Sequence, residues 1–145
     1  MPVAGRGQRR QLRPRGVPDA VALDSGALSA AAAGDPRTRA ELTLAEELGV
    51  EVHVSSVVLA ETLRGHGRDA RTHAVLAGLE LDAVTPQLGR SAGELLGRTR
   101  RDDTIDAIVA TTAETLGQHV RLLTGDPDDL GALTASMTNV TVVAV

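Results

Sequence analysis

Four short segments of the sequence carry acidic side chains beside apolar runs, and carboxylates can bind metal ions or transfer protons. Several carboxylates gathered in one place repel each other unless a cation compensates for their charge. An all-oxygen group of this kind suits Mg²⁺ or Mn²⁺, which often bridge to a substrate phosphate. The segments therefore predict a divalent-metal site, provided that the fold brings them together. Their acids are Asp24, Glu61, Asp103, Asp106, Asp126 and Asp129.

Each segment also has a purely structural interpretation. Asp24 and Asp126 each precede a predicted helix and could cap it. Asp103 and Asp106 fall in a predicted first helical turn, where an acid interacts favourably with the helix dipole by roughly 0.3–1 kcal/mol. Glu61 is harder to explain in this way, because it interrupts the apolar sequence "VVLAETL". The choice between the two interpretations depends on the elements that position these acids.

Strand and helix patterns alternate along the chain from residue 20 onward. Strands separated by helices imply right-handed crossovers and a parallel sheet that is covered on both faces. The sequence therefore predicts an α/β fold, a three-layer α/β/α sandwich with a parallel sheet of about five strands. The predicted strands are 20–23, 50–56, 81–85, 119–126 and 139–145. The predicted helices are 25–33, 36–48, 57–65, 68–78, 86–100, 102–117 and 127–136.

This topology predicts that the acids meet at one end of the sheet. Open parallel sheets place functional groups beyond the carboxyl ends of their strands, where the strand order reverses. Asp24 and Asp126 each follow a predicted strand directly, and Glu61 lies about one and a half turns into the helix after the second strand. Asp103 and Asp106, three residues apart, point from one face of the first turn of their helix.

The composition excludes several classes of site. The chain has no cysteine, which removes disulfides, thiolate catalysis and thiolate metal ligands. It has no Phe, Trp or Tyr, so the core must consist of small aliphatic side chains, and no aromatic ring is present to stack on a base. No apolar run approaches the roughly 20 residues of a membrane-spanning helix. These features fit a cytoplasmic protein that does not act on membranes.

The positive charge is concentrated at the start of the chain. All 15 basic residues are Arg, and the formal net charge is −4. Five of them lie in residues 1–19, interpreted as a basic, disordered tail or as an upstream start; residues 20–145 form the predicted domain. This domain has a net charge of −8, from ten Arg and eighteen acids. The tail could add nonspecific attraction to phosphates.

Four segments in the same order resemble the PIN-domain nucleases, and in particular the toxins of bacterial VapBC toxin–antitoxin pairs. They read "LDSGAL" around Asp24, "SSVVLAETLRG" around Glu61, "DDTIDAIVATTA" around Asp106 and "LLTGDPDDL" around Asp126. The resemblance extends over residues 20–145. It implies a PIN-like sheet and Mg²⁺- or Mn²⁺-dependent cleavage of RNA. It also implies a homodimer and inhibition by an antitoxin protein.

The resemblance also assigns roles to residues. Asp24, Glu61 and Asp106 match the principal metal-binding acids, and Asp126 matches the fourth, more variable one. Asp103 and Asp129 are given auxiliary roles outside the set of metal ligands. Polar positions beside the site are matched by Ser25 and Thr124, whose hydroxyls would hold carboxylates or metal-bound waters.

An acidic nuclease must still attract RNA, and arginines flank two of the four segments. Without aromatic side chains, binding would depend on phosphate contacts and RNA shape. The alternative is that these arginines belong to an ordinary solvated helix surface. The candidates for contact with the RNA backbone are Arg64, Arg68, Arg71, Arg98, Arg100 and Arg101.

Two other classes of phosphate-handling α/β protein do not fit the sequence. Response-regulator receivers need a lysine that the chain lacks, and haloacid-dehalogenase-like phosphatases need an acid where Gly26 stands. The four histidines share no spacing and have no obvious acidic partner, so we expect ordinary surface or strand-end residues. The remaining alternative is a catalytically inactive PIN-like module that binds protein or RNA. The histidines are His53, His66, His73 and His119.

Overall fold

A computed structural model describes residues 14–145; the greater part of the predicted basic tail, residues 1–13, lies outside the described residues. The strands are β1 (Ala20–Leu23), β2 (Glu51–Ser55), β3 (Glu80–Asp82), β4 (Val120–Thr124) and β5 (Val140–Ala144). The helices are α1 (Ser25–Ala33), α2 (Pro36–Glu47), α3 (Ser56–Thr62), α4 (Ala70–Leu76), α5 (Pro86–Thr99), α6 (Thr104–Glu114) and α7 (Pro127–Thr134). A 3₁₀ turn, Gly67–Asp69, precedes α4.

The five strands form one parallel sheet in the order β3-β2-β1-β4-β5. The central strand β1 has β2 on one side and β4 on the other, so the strand order reverses beside it. The carboxyl ends of β1 and β4 are level, because Leu23 is the register partner of Leu123. The predicted α/β/α sandwich is confirmed, and the reversal point lies where Asp24 leaves the sheet.

Small aliphatic side chains form the core, as the absence of aromatic residues requires. All four residues of β1 are buried, which is typical of a strand that is covered on both faces. Leu28, Val54, Leu122 and Leu133 are completely buried against this sheet or beside it. In α1 the buried residues are Ala27, Leu28 and Ala31, so two of the three buried side chains of this helix are single methyl groups. Side chains of this size let helix and sheet backbones approach closely.

Two predicted elements differ from the observed ones for identifiable reasons. The third strand was expected to reach residue 85, but β3 ends at Asp82. Thr85 turns away to cap α5, where its Oγ1 accepts a hydrogen bond from the Leu88 N–H at 3.1 Å. The helix predicted over 68–78 spans only Ala70–Leu76, because the buried Asp69 side chain accepts hydrogen bonds from the preceding loop. Its Oδ2 accepts the N–H groups of residues 64, 65 and 66, and these bonds lower the pKa of Asp69.

Residues just before β1 are attached to the amino end of β4. The Asp19 N–H donates to the His119 carbonyl at 2.7 Å, and Asp19 Oδ2 accepts the N–H groups of Gln118 and His119 at 2.8 and 3.0 Å. Val17 packs against the core. The domain boundary between residues 19 and 20 stays a prediction, but these contacts show that the two segments are joined at this point.

Gly117 packs directly against Asp19, and there is no space for a side chain at this position. A Cβ at Gly117 would lie 2.6 Å from Asp19 Cβ, so Gly117→Ala should lower the free energy of unfolding by about 1–3 kcal/mol. Gly131→Ala is the control, because nothing lies within 4 Å of its Cβ and alanine favours helix by about 1 kcal/mol. Urea unfolding of both variants measures the difference. Equal stability of the two would contradict the attachment.

Candidate functional site

Asp24 caps α1 and faces the carboxyl end of the sheet. Its Oδ1 accepts the Ala27 N–H at 2.7 Å, while its Oδ2 accepts the hydroxyl of Thr124. Its own N–H donates to the Leu123 carbonyl at 3.1 Å, so both its backbone and its side chain are fixed. Asp24 as a whole is buried, with 6 % of its surface exposed. The helix-cap interpretation of Asp24 is therefore correct, and it is compatible with a role in a site.

Thr124 connects the two central turns of the sheet. It is completely buried at the end of β4, and its Oγ1 donates to Asp24 and accepts the Asp126 N–H at 2.8 Å. The same hydroxyl therefore orients the Asp24 carboxylate and fixes the start of the β4–α7 turn. The resemblance implied that this hydroxyl would hold a carboxylate or a metal-bound water; its role in a functional site stays a prediction.

Two glycines allow these turns to approach each other. A Cβ at Gly26 would lie 3.1 Å from the Gly125 Cα and N, and 3.4 Å from Asp24 Oδ1. Because Gly26 is the second residue of α1 and Gly125 follows β4, a side chain at Gly26 would push the two turns apart by a few tenths of an ångström. Glycine at position 26 therefore has a packing reason.

Asp103, Asp106 and Asp129 form the group of acids best suited to a metal ion among residues 14–145. One potential ligand oxygen from each lies within 4.8 Å of those of the other two, and all three side chains are partly exposed. Asp103 is the residue before α6, Asp106 lies in its first turn, and Asp129 lies in the first turn of α7. The packing of α6 against α7 therefore creates this group, and we name it the acid cluster.

Asp106 has an electrostatic environment that disfavours its ionised form. Burial, and after it the nearby charges of Asp103, Asp24, Glu61 and Asp129, together raise the pKa of Asp106 to about 6. Asp24 follows β1 and Glu61 lies on α3, so charges from three separate segments act on this carboxyl group. Of the four acids predicted as metal ligands, only Asp106 belongs to the acid cluster, and the predicted ligand set stays a prediction.

Arg101 supplies positive charge at the acid cluster. Its Nη2 is paired with Asp103 at 3.0 Å and with Asp129, and its Nε donates to Asp103 at 3.0 Å. These two carboxylates raise the pKa of Arg101. The side chain predicted to contact RNA is therefore bonded to acids of the site in the free protein, and its contact with RNA stays a prediction.

The other predicted residues lie at more exposed positions. Asp126 is exposed and caps α7, where its Oδ1 accepts the Asp129 N–H at 3.3 Å. Glu61 is exposed and Ser25 is partly buried. Arg64 donates from its guanidinium to the Ala60 and Leu63 carbonyls at the end of α3. The assignments of all these residues stay predictions. The remaining arginine candidates are exposed: Arg68, Arg71, Arg98 and Arg100.

One expectation about the histidines is wrong. His53, on β2, has an acidic partner, because its Nδ1 lies 3.0 Å from Asp82 Oδ2 on the neighbouring strand. Glu51 is a second neighbour, with 3.5 Å between Oε2 and Nε2. The strand patterns placed both residues on strands, but only the register of β2 against β3 brings them together.

The chemistry of the acid cluster fits a divalent metal. Its three residues offer only carboxylate oxygens, which are hard ligands, and all three side chains are partly exposed. The repulsion at Asp106 is the kind that a bound cation relieves. The set of donors provides no thiolate or imidazole, and so it favours Mg²⁺ or Mn²⁺ over zinc.

Comparison with known families agrees with this topology. The family model of the PIN domain matches residues 21–132, which is well over half of the chain, and the protein therefore belongs to the PIN domain family. No curated protein matches the chain significantly. Within residues 14–145, none of the helices has the length and apolar character needed to span a membrane.

Solved structures with the same fold include chains of three toxin–antitoxin assemblies. A chain of VapBC2 from Rickettsia felis, bound to a promoter DNA fragment, has a TM-score of 0.66 at 17 % identity, covering 86 % of this chain and 98 % of that one. A Klebsiella pneumoniae toxin–antitoxin complex gives 0.65 at 18 %, with 84 % and 96 % covered. DNA-bound VapBC from Salmonella typhimurium gives 0.62 at 17 %, with 86 % and 97 % covered. Similarity at these identities establishes the fold.

Removal of the Asp106 charge should stabilise the metal-free protein at neutral pH. The raised pKa means that the folded state holds this proton more tightly than the unfolded state does, so wild-type stability falls as pH rises from about 4 to about 6. Asp106→Asn should be more stable than wild type by about 1–2 kcal/mol at pH 7.5, a figure reduced because the carboxyl is only partly buried. The difference should shrink towards pH 4.

Urea unfolding with a chelator, from pH 4.5 to 7.5, measures this pH dependence. Asp128→Asn is the control, because this exposed acid in the first turn of α7 interacts favourably with the helix dipole. Its loss should destabilise the protein by about 0.3–1 kcal/mol at pH 7.5, the opposite sign. A stabilisation by Asp106→Asn that is the same at every pH would show that charge repulsion is not its cause.

Proposed function

We propose that the protein is a divalent-metal-dependent endoribonuclease that hydrolyses RNA phosphodiester bonds. The observation that supports this most strongly is the acid cluster, three carboxylates within 4.8 Å at the carboxyl end of the sheet of a PIN domain. Asp24 and Glu61 add negative charge at Asp106 from two other elements. A site that only needed helix caps would have no reason to gather these charges around one carboxyl group.

In this proposal the acids divide the work of holding a cation. Asp106 is the central ligand, and Asp24, Glu61 and Asp126 complete the predicted set of Mg²⁺ or Mn²⁺ ligands. When bound, the divalent ion supplies Lewis acidity by lowering the pKa of water and offsetting charge on the phosphate. Thr124 keeps the Asp24 carboxylate in place through its hydroxyl. Ser25 acts beside these ligands, and the auxiliary acids Asp103 and Asp129 can each add a ligand oxygen through the acid cluster. A free carboxylate oxygen would accept the proton of the attacking water as the bond from phosphorus to the leaving ribose oxygen breaks.

RNA is the substrate class that this surface supports. No Phe, Trp or Tyr is present for base stacking, so we expect binding to depend on phosphates and backbone shape. Exposed arginines follow α3, which carries Glu61, and lie on α5, which precedes the helix of Asp106; they are Arg64, Arg68 and Arg98. These guanidinium groups would offset the negative charge of the domain along the path of the substrate.

The proposed biological role is that of a cytoplasmic toxin held in check by an antitoxin protein. The family membership and the three structural neighbours from toxin–antitoxin assemblies support this role. We also propose a homodimer. Light scattering during gel filtration should give twice the 15.0 kDa of one chain, and a mass of one chain at micromolar concentration would refute the dimer.

Metal binding and RNA cleavage should depend on the same carboxylates. Calorimetric titration of Mn²⁺ should show binding to wild type and its loss in Asp24→Asn and Asp106→Asn. Cleavage of single-stranded and structured RNA by the same samples should fall by more than roughly 100-fold, beyond the effect typical of residues that only support a ligand. Asp102→Asn is the matched control, because this acid is exposed beside Asp103 and lies outside the acid cluster.

Wild-type protein that stays folded but binds no Mn²⁺, even with RNA present, would refute the nuclease. The acids would then be helix caps, and the protein would be the catalytically inactive binding module. Metal binding without cleavage of any RNA tested would refute the ribonuclease while leaving the metal site. Circular dichroism of each variant separates either result from unfolding.

A further inference from the structure

Arg101 occupies a segment whose backbone is fixed on both sides. Arg100 ends α5 in the left-handed region, with a φ of 54°, and the Arg101 N–H donates to the Leu96 carbonyl at 3.2 Å. Asp103 then precedes the first residue of α6. The side chain of Arg101 is 26 % exposed, so it lies largely against the protein. Its direction is therefore set by the fold before any ligand arrives.

The guanidinium of Arg101 joins two helices through their acids. Both Nε and Nη2 contact Oδ2 of Asp103, before α6, and Nη2 also contacts Oδ1 of Asp129, on α7. The three contacts use the planar arrangement of donors that distinguishes arginine from lysine. Because Asp103 and Asp129 belong to different helices, they would repel each other without this cation between them.

Only one oxygen of each carboxylate is used by Arg101. The hydrogen bonds of the guanidinium go to Asp103 Oδ2 and Asp129 Oδ1, and Asp103 Oδ1 and Asp129 Oδ2 accept none from it. A carboxylate held in this way by one oxygen can still offer the other to a cation. Arg101 and a metal ion can therefore be bound by the same two acids at the same time.

We propose that Arg101 is a positioning residue that fixes Asp103 and Asp129 so that the acid cluster can bind a divalent metal. This inference rests on the proposed function, since it concerns the same site. Two physical effects oppose each other. The charge of Arg101 repels a second cation, whereas its hydrogen bonds hold two of the three acids at ligand distance. Loss of a residue that hydrogen-bonds to a metal ligand typically weakens metal affinity by 10–100-fold. Because Arg101 contacts both acids, we expect its orienting effect to exceed its repulsion of the metal.

The test is calorimetric titration of Mn²⁺ into wild type, Arg101→Gln, Arg101→Lys and Arg90→Gln, all of full length. Arg101→Gln should bind Mn²⁺ about 10-fold more weakly or worse. Arg101→Lys keeps the charge but has a single donor group, and so it should restore only part of the affinity. Arg90→Gln removes the same charge from an exposed position of α5 and should match wild type. Chemical unfolding of each metal-free variant shows whether the change exceeds a loss of stability.

Each outcome decides between the possibilities. Tighter binding by Arg101→Gln, or affinity equal to wild type, would overturn the inference while leaving the metal site intact. Full recovery by Arg101→Lys would also overturn it, because charge alone would then suffice. A wild-type protein that binds no metal would overturn both the inference and the proposed function.

Discussion

Repulsion among carboxylates at the carboxyl end of the sheet is the constraint to which the site is adapted. The protein deals with it differently at each acid. Asp24 receives a hydroxyl and a helix N–H, and Asp103 and Asp129 receive a guanidinium. The Asp106 carboxylate accepts no hydrogen bond from residues 14–145, and its pKa is raised by burial and by the neighbouring carboxylates. The acid with the least internal support is thus the one at which a cation would relieve most repulsion.

The small side chains of the core make this arrangement possible. Close packing of α1 on the sheet places the two turns after β1 and β4 in contact, with Gly26 against Gly125. That contact lets the buried Thr124 hydroxyl reach both the Asp24 carboxylate and the Asp126 N–H. A bulkier core would separate the turns and leave Asp24 buried without this donor, which is costly for a charged group.

Much of the fold followed from local pattern, because strands that alternate with helices permit few topologies. The Asp24 position was predictable, since an acid directly after the central strand must lie at the reversal of strand order. The pairing of Arg101 with Asp129 was not, because these residues are 28 apart and only the packing of α6 against α7 brings them together. The same limit explains His53 and Asp82, which depend on strand register. The end of β3 was missed because a capping threonine prevailed over strand propensity.

Arginine also explains how several carboxylates can lie close together in an acidic domain. The chain has no lysine, and the donors of one arginine can hold two carboxylates at once, as Arg101 holds Asp103 and Asp129. This pairing removes part of the repulsion without using all of the carboxylate oxygens. The remainder is concentrated at Asp106, where it lowers the stability of the metal-free state. The cation binding that we propose would recover this stability, since a ligand that binds only the folded state stabilises it. The strain of the free site and the proposed affinity for metal would then be two consequences of the same placement of charge.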